Sequence, residues 1–173
     1  SQIAAGYLLA LAIAAELGVD RLDSHSLLSA LLYLPDAMRP FINDRPAIAF
    51  VSQRHLLHRR YCDVVGNGRN IVAGRELRIK LSELCYKAIA CDVTEDKKHI
   101  DLSAEPMILV CAAGLRGSNA DDAAKEIAIY RAHKAAPIAI VDDGATRFSA
   151  AGYTIPVPAV HPALAFGPCQ SEK

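Results

Sequence analysis

In the run Gly74-Arg75-Glu76-Leu77-Arg78-Ile79-Lys80-Leu81-Ser82-Glu83-Leu84, the charged residues Glu76, Lys80 and Glu83 recur at spacings of four and then three residues. On an α-helix those spacings put the three side chains on one stripe. Two carboxylates flanking an amine suit the movement of a proton between neighbouring carbons. One carboxylate acts as base and later as acid, while the cation steadies developing negative charge. Leu77, Leu81 and Leu84 repeat the spacing one position on, so an apolar stripe is expected beside the charged one. A charged stripe that borders a buried face can sit at a cleft margin, where desolvation and charge coupling shift pKa values. The plain alternative is a solvated Glu–Lys pair worth roughly 0.2–0.5 kcal/mol, and spacing by itself favours it.

Downstream, Thr94-Glu95-Asp96-Lys97-Lys98-His99 reads as a capped, solvated turn of helix ending in a histidine. His99 there would supply a group that titrates near neutral pH. Gly66-Asn67-Gly68, just before a helical stretch, could present backbone N–H groups to a phosphate, although a tight strand-to-helix turn is the simpler role. Asp142-Asp143-Gly144 reads as a turn after a strand rather than a cation site. Arg54, His55, His58, Arg59 and Arg60 cluster on one expected helix, as a solvated face or a dimer contact, with phosphate binding as the lesser alternative. His25 and His133 read as surface residues.

The elements that must position these groups follow from periodicity. Residues 3–17 are rich in Ala and Leu, both strong helix formers. Asp23 or Ser24 can cap a second helix, in which Pro35 either kinks the run or starts a new turn, and residues 45–60 suit a third. Beyond that point, short apolar runs at 62–66, 88–93, 107–113, 137–141 and 153–157 alternate with helical stretches at 70–86 and 119–133. That alternation is the signature of βαβ units and a parallel sheet covered on both faces. The expected organisation is an N-terminal helical segment at 1–60, an α/β domain at 61–166 and a polar tail at 167–173.

Composition narrows the classes of function. At 173 residues, 52% hydrophobic and 22% charged, the chain suits a single domain with a large core. Nineteen Lys and Arg balance nineteen Asp and Glu, which argues against a nucleic-acid or anionic-membrane partner. The five cysteines, Cys62, Cys85, Cys91, Cys111 and Cys169, form no C-x-x-C pair. Their odd number and scatter argue against a disulfide framework or a structural zinc site and suit a reduced, cytoplasmic setting. The first helix is too short and too interrupted to span a bilayer, and it lacks the flanks of a signal peptide. With no initiator methionine before that helix, the chain reads as a cut from a longer protein.

Taken together, residues 76–99 resemble the second sugar-isomerase (SIS) domain of isomerising glutamine:fructose-6-phosphate aminotransferase, also called glucosamine-6-phosphate synthase. That family carries E-x-x-x-K-x-x-E on a helix, then a histidine sixteen residues after the second glutamate in a G-E-L-K-H-G-type loop. Glu76, Lys80 and Glu83 match the helix, and His99 falls sixteen residues after Glu83. Val65-Gly66-Asn67-Gly68 is similar to the family's L-G-R-G strand end, Ser1-Gln2 to the T-S-Q that opens a helix, and Leu34-Pro35 to part of its helical linker. The resemblance covers roughly residues 1–166 and implies a five-stranded parallel sheet in a flavodoxin-like three-layer sandwich, preceded by helices.

The resemblance also implies an activity: amination of fructose 6-phosphate and an aldose–ketose-type shift to glucosamine 6-phosphate. By carry-over, Glu83 shuttles the proton between C1 and C2, and His99 assists ring opening in the neighbouring subunit's site, which implies a homodimer. Glu76 orients that histidine, Lys80 helps to hold the open-chain intermediate, and Gly66, Asn67 and Gly68 lie against substrate. No metal or organic cofactor is implied. The chain departs from the family in several places. The Ser/Thr-rich phosphate cradle has only a poor match at residues 114–119. The carbonyl-reactive C-terminal lysine has no counterpart, and Ile100 and Asp101 replace the glycine and proline after the histidine. These departures imply that the first SIS domain and the glutaminase domain would have to come from a parent protein, and that this chain by itself is catalytically incomplete. A non-catalytic sugar-phosphate sensor is the other reading.

Overall fold

The computed structural model describes residues 2–19, 23–43, 45–99, 102–161 and Leu164. Five strands, β1 (Cys62–Gly66), β2 (Ile89–Asp92), β3 (Met107–Cys111), β4 (Ala136–Asp142) and β5 (Tyr153–Val157), form one sheet in the order β2-β1-β3-β4-β5. All four pairings are parallel, with Val64 in register with Cys91 on one side and Leu109 on the other. Every residue of β1 and β3 is buried, as the continuous apolar runs require of strands covered on both faces.

One face carries Val65, Ile108, Val110, Ala139 and Val141 under Ala120, Ala123, Ile127 and Tyr130 of α6 (Gly117–Ala132). The other carries Cys62, Val64, Ile89, Leu109 and Ile138 under Leu77 and Leu81 of α4 (Asn70–Cys85) and Val51 of α3 (Arg45–Val51). The chain thus forms the expected three layers. α3 runs on into a π-helical turn, Ser52–Leu56, so the third helix ends earlier than its sequence pattern suggests.

α1 (Gln2–Glu16) and α2 (Ser24–Asn43) precede the sandwich. Asp23 Oδ1 accepts the Ser26 N–H at 3.0 Å, the expected cap. α2 continues through both Pro35 and Pro40. Leu11, Leu27 and Leu164 make a small cluster of their own, with Leu31 and Leu34 against it. Leu9, Leu17, Leu32 and Tyr33 instead stand in solvent, each more than half exposed. Among the described residues no helix is long and apolar enough to cross a membrane. At the sheet edges, β2 has four residues and β5 carries Pro156 opposite Val141. The expected tail at 167–173, with Cys169, lies outside the described residues.

Candidate functional site

In an open parallel sheet, ligand crevices form at the carboxyl ends of strands where the winding direction reverses. With the order β2-β1-β3-β4-β5 that point lies between β1 and β3, so the loops after Gly66 and after Cys111 face one another there. A Cβ on Gly66 would sit 2.7 Å from the backbone C and O of Asn70, which is why α4 can start directly over the strand end only with glycine. Asn70 is buried, and its Nδ2 donates to the Ala113 carbonyl at 3.1 Å, tying the two loops together. The Asp142 carboxylate at the end of β4 accepts the Gly114 N–H at 2.9 Å and a hydrogen bond from Arg116. Asp142 therefore organises the loop after β3, and the turn reading of residues 142–144 holds.

Beside this crevice a cleft of about 300 Å³ opens between α5 (Thr94–Lys97) and α6. Of Gly66, Asn67 and Gly68, only Asn67 lines it. Its side chain is joined twice to Thr94, through Asn67 Nδ2 to Thr94 Oγ1 at 2.7 Å and Thr94 N–H to Asn67 Oδ1 at 3.1 Å. Tyr130 donates its hydroxyl to the Thr94 carbonyl, and burial pushes that phenol well above its ordinary range. Lys98 Nζ lies 2.6 Å from Glu95 and 3.2 Å from Glu126. The hydrogen bond to Glu95 raises the Lys98 pKa, and the same bond lowers that of Glu95.

Residues 94–99 are only partly the solvated turn expected. Thr94 and Lys97 are buried, and Lys97 forms a 2.7 Å ion pair with Asp63 inside the sandwich. The buried carboxylate of Asp63 in the middle of β1 supplies the partner, which spacing within the turn alone does not reveal. His99 is 68% exposed and sits 3.8 Å from Glu95, one turn back.

On α4, Glu76, Lys80 and Glu83 are all exposed. Lys80 and Glu83 pair at 3.2 Å with side chains 57% and 60% exposed, the geometry of an ordinary surface bridge. Gly74, Leu77 and Leu81 turn toward the sheet, with Gly74 placed so that a Cβ would meet Val64 Cγ1 and Cys91 Sγ at 3.3 Å. The carboxylates therefore stand on the outward face and not at the margin of the buried one, and Leu84, expected in the apolar stripe, is 76% exposed. Val72 and Ile79 alternate with Glu76 and Glu83 along that outward face and are also exposed. α4 and α5 pack on opposite faces of the sheet. Among the described residues no hydrogen bond or ion pair joins His99 to Glu76, Lys80 or Glu83.

The basic cluster lies at the other end of the sheet, where the strands begin. Arg59 donates to the carbonyls of Glu105 and Lys134 at 2.5 and 3.1 Å, and Lys87 caps the carbonyls of Leu56 and Arg59. An open groove of about 540 Å³ runs past Phe50, Gln53, Arg54, His55, His58 and Arg59. Burial, then Arg54 and Arg59, hold the His55 pKa below its ordinary value. The position of this cluster, remote from the crevice, gives Arg59 a structural role. Among the described residues no group of three His, Cys, Asp or Glu converges as a metal site, and Cys62, Cys85, Cys91 and Cys111 are free thiols.

Sequence reasoning missed Asn70, Thr94 and Glu126. Asn70 stands at the first position of a helix, which is a signal of sorts. Nothing in the run Asp121-Asp122-Ala123-Ala124-Lys125-Glu126 distinguishes the buried glutamate from its solvated neighbours.

No protein-family model matches the sequence, and no curated protein does. Solved structures match its fold. The C-terminal domain of glucosamine-fructose-6-phosphate aminotransferase from Francisella tularensis superposes with a TM-score of 0.64 at 15% identity, over 83% of this chain and 40% of that one. An Escherichia coli CFT073 protein, c3406, solved in complex with A5P, gives 0.61 at 10% identity over 78% of this chain and 72% of that one. The Vibrio vulnificus NanR protein complexed with ManNAc-6P gives 0.59 at 16% identity over 90% of this chain and 59% of that one. The five-stranded sandwich is thus a sugar-isomerase (SIS) domain fold. The chain spans only about two fifths of the aminotransferase structure.

Proposed function

We propose that this chain is the second sugar-isomerase domain of a cytoplasmic glucosamine-6-phosphate synthase-like enzyme, which converts fructose 6-phosphate to glucosamine 6-phosphate by amination and aldose–ketose isomerisation. The observation that carries the reading is the outward face of α4, where Glu76 and Glu83 alternate with Val72 and Ile79 and no described element covers them. Exposed apolar side chains interleaved with carboxylates suit a surface closed by another domain or subunit. Closure would exclude water from Glu83 and bring it against substrate, as proton transfer between neighbouring carbons requires.

In this reading Glu83 moves the proton between C1 and C2, and Lys80 steadies the charge of the open-chain intermediate. His99, on the other face of its own sheet, assists ring opening in the site of a second copy, where Glu76 orients it. Gly66, Asn67 and Gly68 supply the strand-end loop near the sugar phosphate. The phosphate cradle, the carbonyl-reactive lysine and the glutamine-hydrolysing domain belong to the rest of the parent protein, so the chain by itself is catalytically incomplete. Glu83→Gln in the parent enzyme is expected to lower turnover by about 10²–10⁴ with an unchanged melting temperature. Undiminished turnover would sink the assignment.

A second reading, a non-catalytic sugar-phosphate sensor, is favoured by the fold match to NanR complexed with ManNAc-6P and by the mutual pairing of Lys80 and Glu83 in solvent. Calorimetric titration with fructose 6-phosphate and glucosamine 6-phosphate separates the two. Tight binding to this chain alone supports the sensor, and absence of binding supports the half-site.

A further inference from the structure

We infer that the groove past Phe50, Arg54 and His58 is a binding site for a nucleoside monophosphate, its phosphate on the basic residues and its base against the ring. The groove lies where the strands begin, at the opposite end of the sheet from the crevice between the loops after β1 and β3. Phe50, Arg54 and His58 recur every fourth residue. An uninterrupted α-helix would rotate such a row steadily off one line. The π-helical turn Ser52–Leu56, closed by the Leu57 N–H on the Ser52 carbonyl at 3.4 Å, is wider and brings the row back onto one face. Turns of this kind are rare and frequently mark functional sites.

The charges around the groove select an anion. No carboxylate lines it. Arg54 and His58 are exposed, and among the described residues neither side chain has a hydrogen bond or ion pair. The Glu105 carboxylate answers Arg59, at 3.7 Å, and not Arg54. Arg54 and Arg59 both lower the His55 pKa, so two guanidinium groups lie within reach of one imidazole. The carboxyl end of a helix ordinarily repels an anion. Here Lys87 Nζ donates to the carbonyls of Leu56 and Arg59 at 2.8 and 2.9 Å, so an ammonium replaces bare oxygens at that end.

Two further features point to what the anion is attached to. Phe50 is 53% exposed, and a tilted contact with Tyr153, ring centroids 6.0 Å apart, steadies its ring. A held, half-open ring is a stacking platform for a base. Gln53, three residues on, offers an amide donor and acceptor to a base edge. At about 540 Å³ the groove falls within the range of small-molecule sites, and a bare phosphate would leave most of it empty. A sugar phosphate would use the basic groups and leave the ring and the amide without a partner. None of these residues belongs to the outward face of α4 or to the strand-end loops, so this inference and the catalytic proposal stand or fall separately.

The test is an NMR titration of the isotope-labelled 173-residue chain with adenosine 5′-monophosphate, and in parallel with adenosine and with inorganic phosphate at the same ionic strength. Saturable shifts of the Gln53, Arg54 and His58 amides with the nucleotide are expected, with adenosine and phosphate each at least tenfold weaker. Fructose 6-phosphate should fail to displace the nucleotide. Arg54→Ala, a change at an exposed position, should weaken nucleotide binding at least tenfold. Phe50→Ala should weaken it several-fold and leave the response to phosphate unchanged; Phe50→Leu, which keeps apolar volume and removes the ring, decides the stacking should Phe50→Ala fail to fold. No saturable shift with the nucleotide, an equal response to adenosine or phosphate, displacement by fructose 6-phosphate, or undiminished binding by folded Arg54→Ala would overturn the inference.

Discussion

Asn67 and Thr94 exchange two hydrogen bonds, at 2.7 and 3.1 Å, so the loop after β1 and the first residue of α5 after β2 are locked to each other by one amide side chain. Asn67→Ala removes both bonds and leaves the N–H of the buried Thr94 unpaired. Thr94→Ala removes one and keeps the backbone bond to Asn67 Oδ1. Urea unfolding is expected to give losses of about 2–3 kcal/mol for Asn67→Ala and about 1 kcal/mol for Thr94→Ala. Equal losses would mean that the side-chain bond, and not the backbone bond, holds the loop.

The buried pair between Lys97 and Asp63 gives a second expectation. Their side chains are 3% and 10% exposed and meet at 2.7 Å. Either Asp63→Ala or Lys97→Ala leaves an uncompensated charge in the sandwich and should cost about 3–5 kcal/mol. Asp63→Leu combined with Lys97→Met removes both charges at similar volume and should recover most of that loss. A double variant as unstable as the singles would show that the pair contributes more than mutual neutralisation.

Much of this architecture was legible in the residues. β1 and β5 occupy the two apolar runs at 62–66 and 153–157, and α4 ends one residue before Tyr86, because β-branched runs bounded by glycine and leucines at helical spacing are local signals. The site was less legible. Lys97 looks solvated in the run Thr94-Glu95-Asp96-Lys97 because its partner Asp63 lies more than thirty residues earlier. Leu84 reads as core from its spacing with Leu77 and Leu81, yet it stands in solvent near the end of α4. Periodicity reports which residues share a helix face, whereas burial of a charge depends on what the topology sets opposite it.

Thiol chemistry should separate Cys111 from an ordinary cysteine. Burial pushes the Cys111 thiol up to about 12, so its thiolate fraction at pH 8 is about a thousandfold below that of a thiol at the reference value of 9.0. Alkylation of Cys111 in the native chain should be slower by at least that factor, followed by peptide mapping. Because the folded value is raised, the unfolded chain ionises first. Stability should fall as pH climbs from about 9 toward 12, and Cys111→Ala should flatten that fall. Rapid native labelling at pH 8 would contradict this placement.

Tyr86 caps α4 in the left-handed region at φ 51° while 94% of its surface is exposed. A non-glycine residue there costs about 1–2 kcal/mol of backbone energy, and among the described residues almost nothing covers its ring in return. Tyr86→Gly should raise the stability of the isolated chain by about 1 kcal/mol in thermal or urea unfolding. A loss of stability would mean that the ring packs on something within the chain after all.

The two sheet edges bear on how this chain behaves at high concentration. A four-residue β2 offers a short template, and Pro156 interrupts the row of N–H donors on β5. Strand addition, the route to fibrils and to swapped β-ribbons, is therefore hindered at both ends of the sheet. Self-association at high concentration should proceed through Leu9, Leu17, Leu32 and Tyr33 on and beside the first two helices. Aggregates of this chain should accordingly keep a helical circular-dichroism spectrum and fail to bind thioflavin.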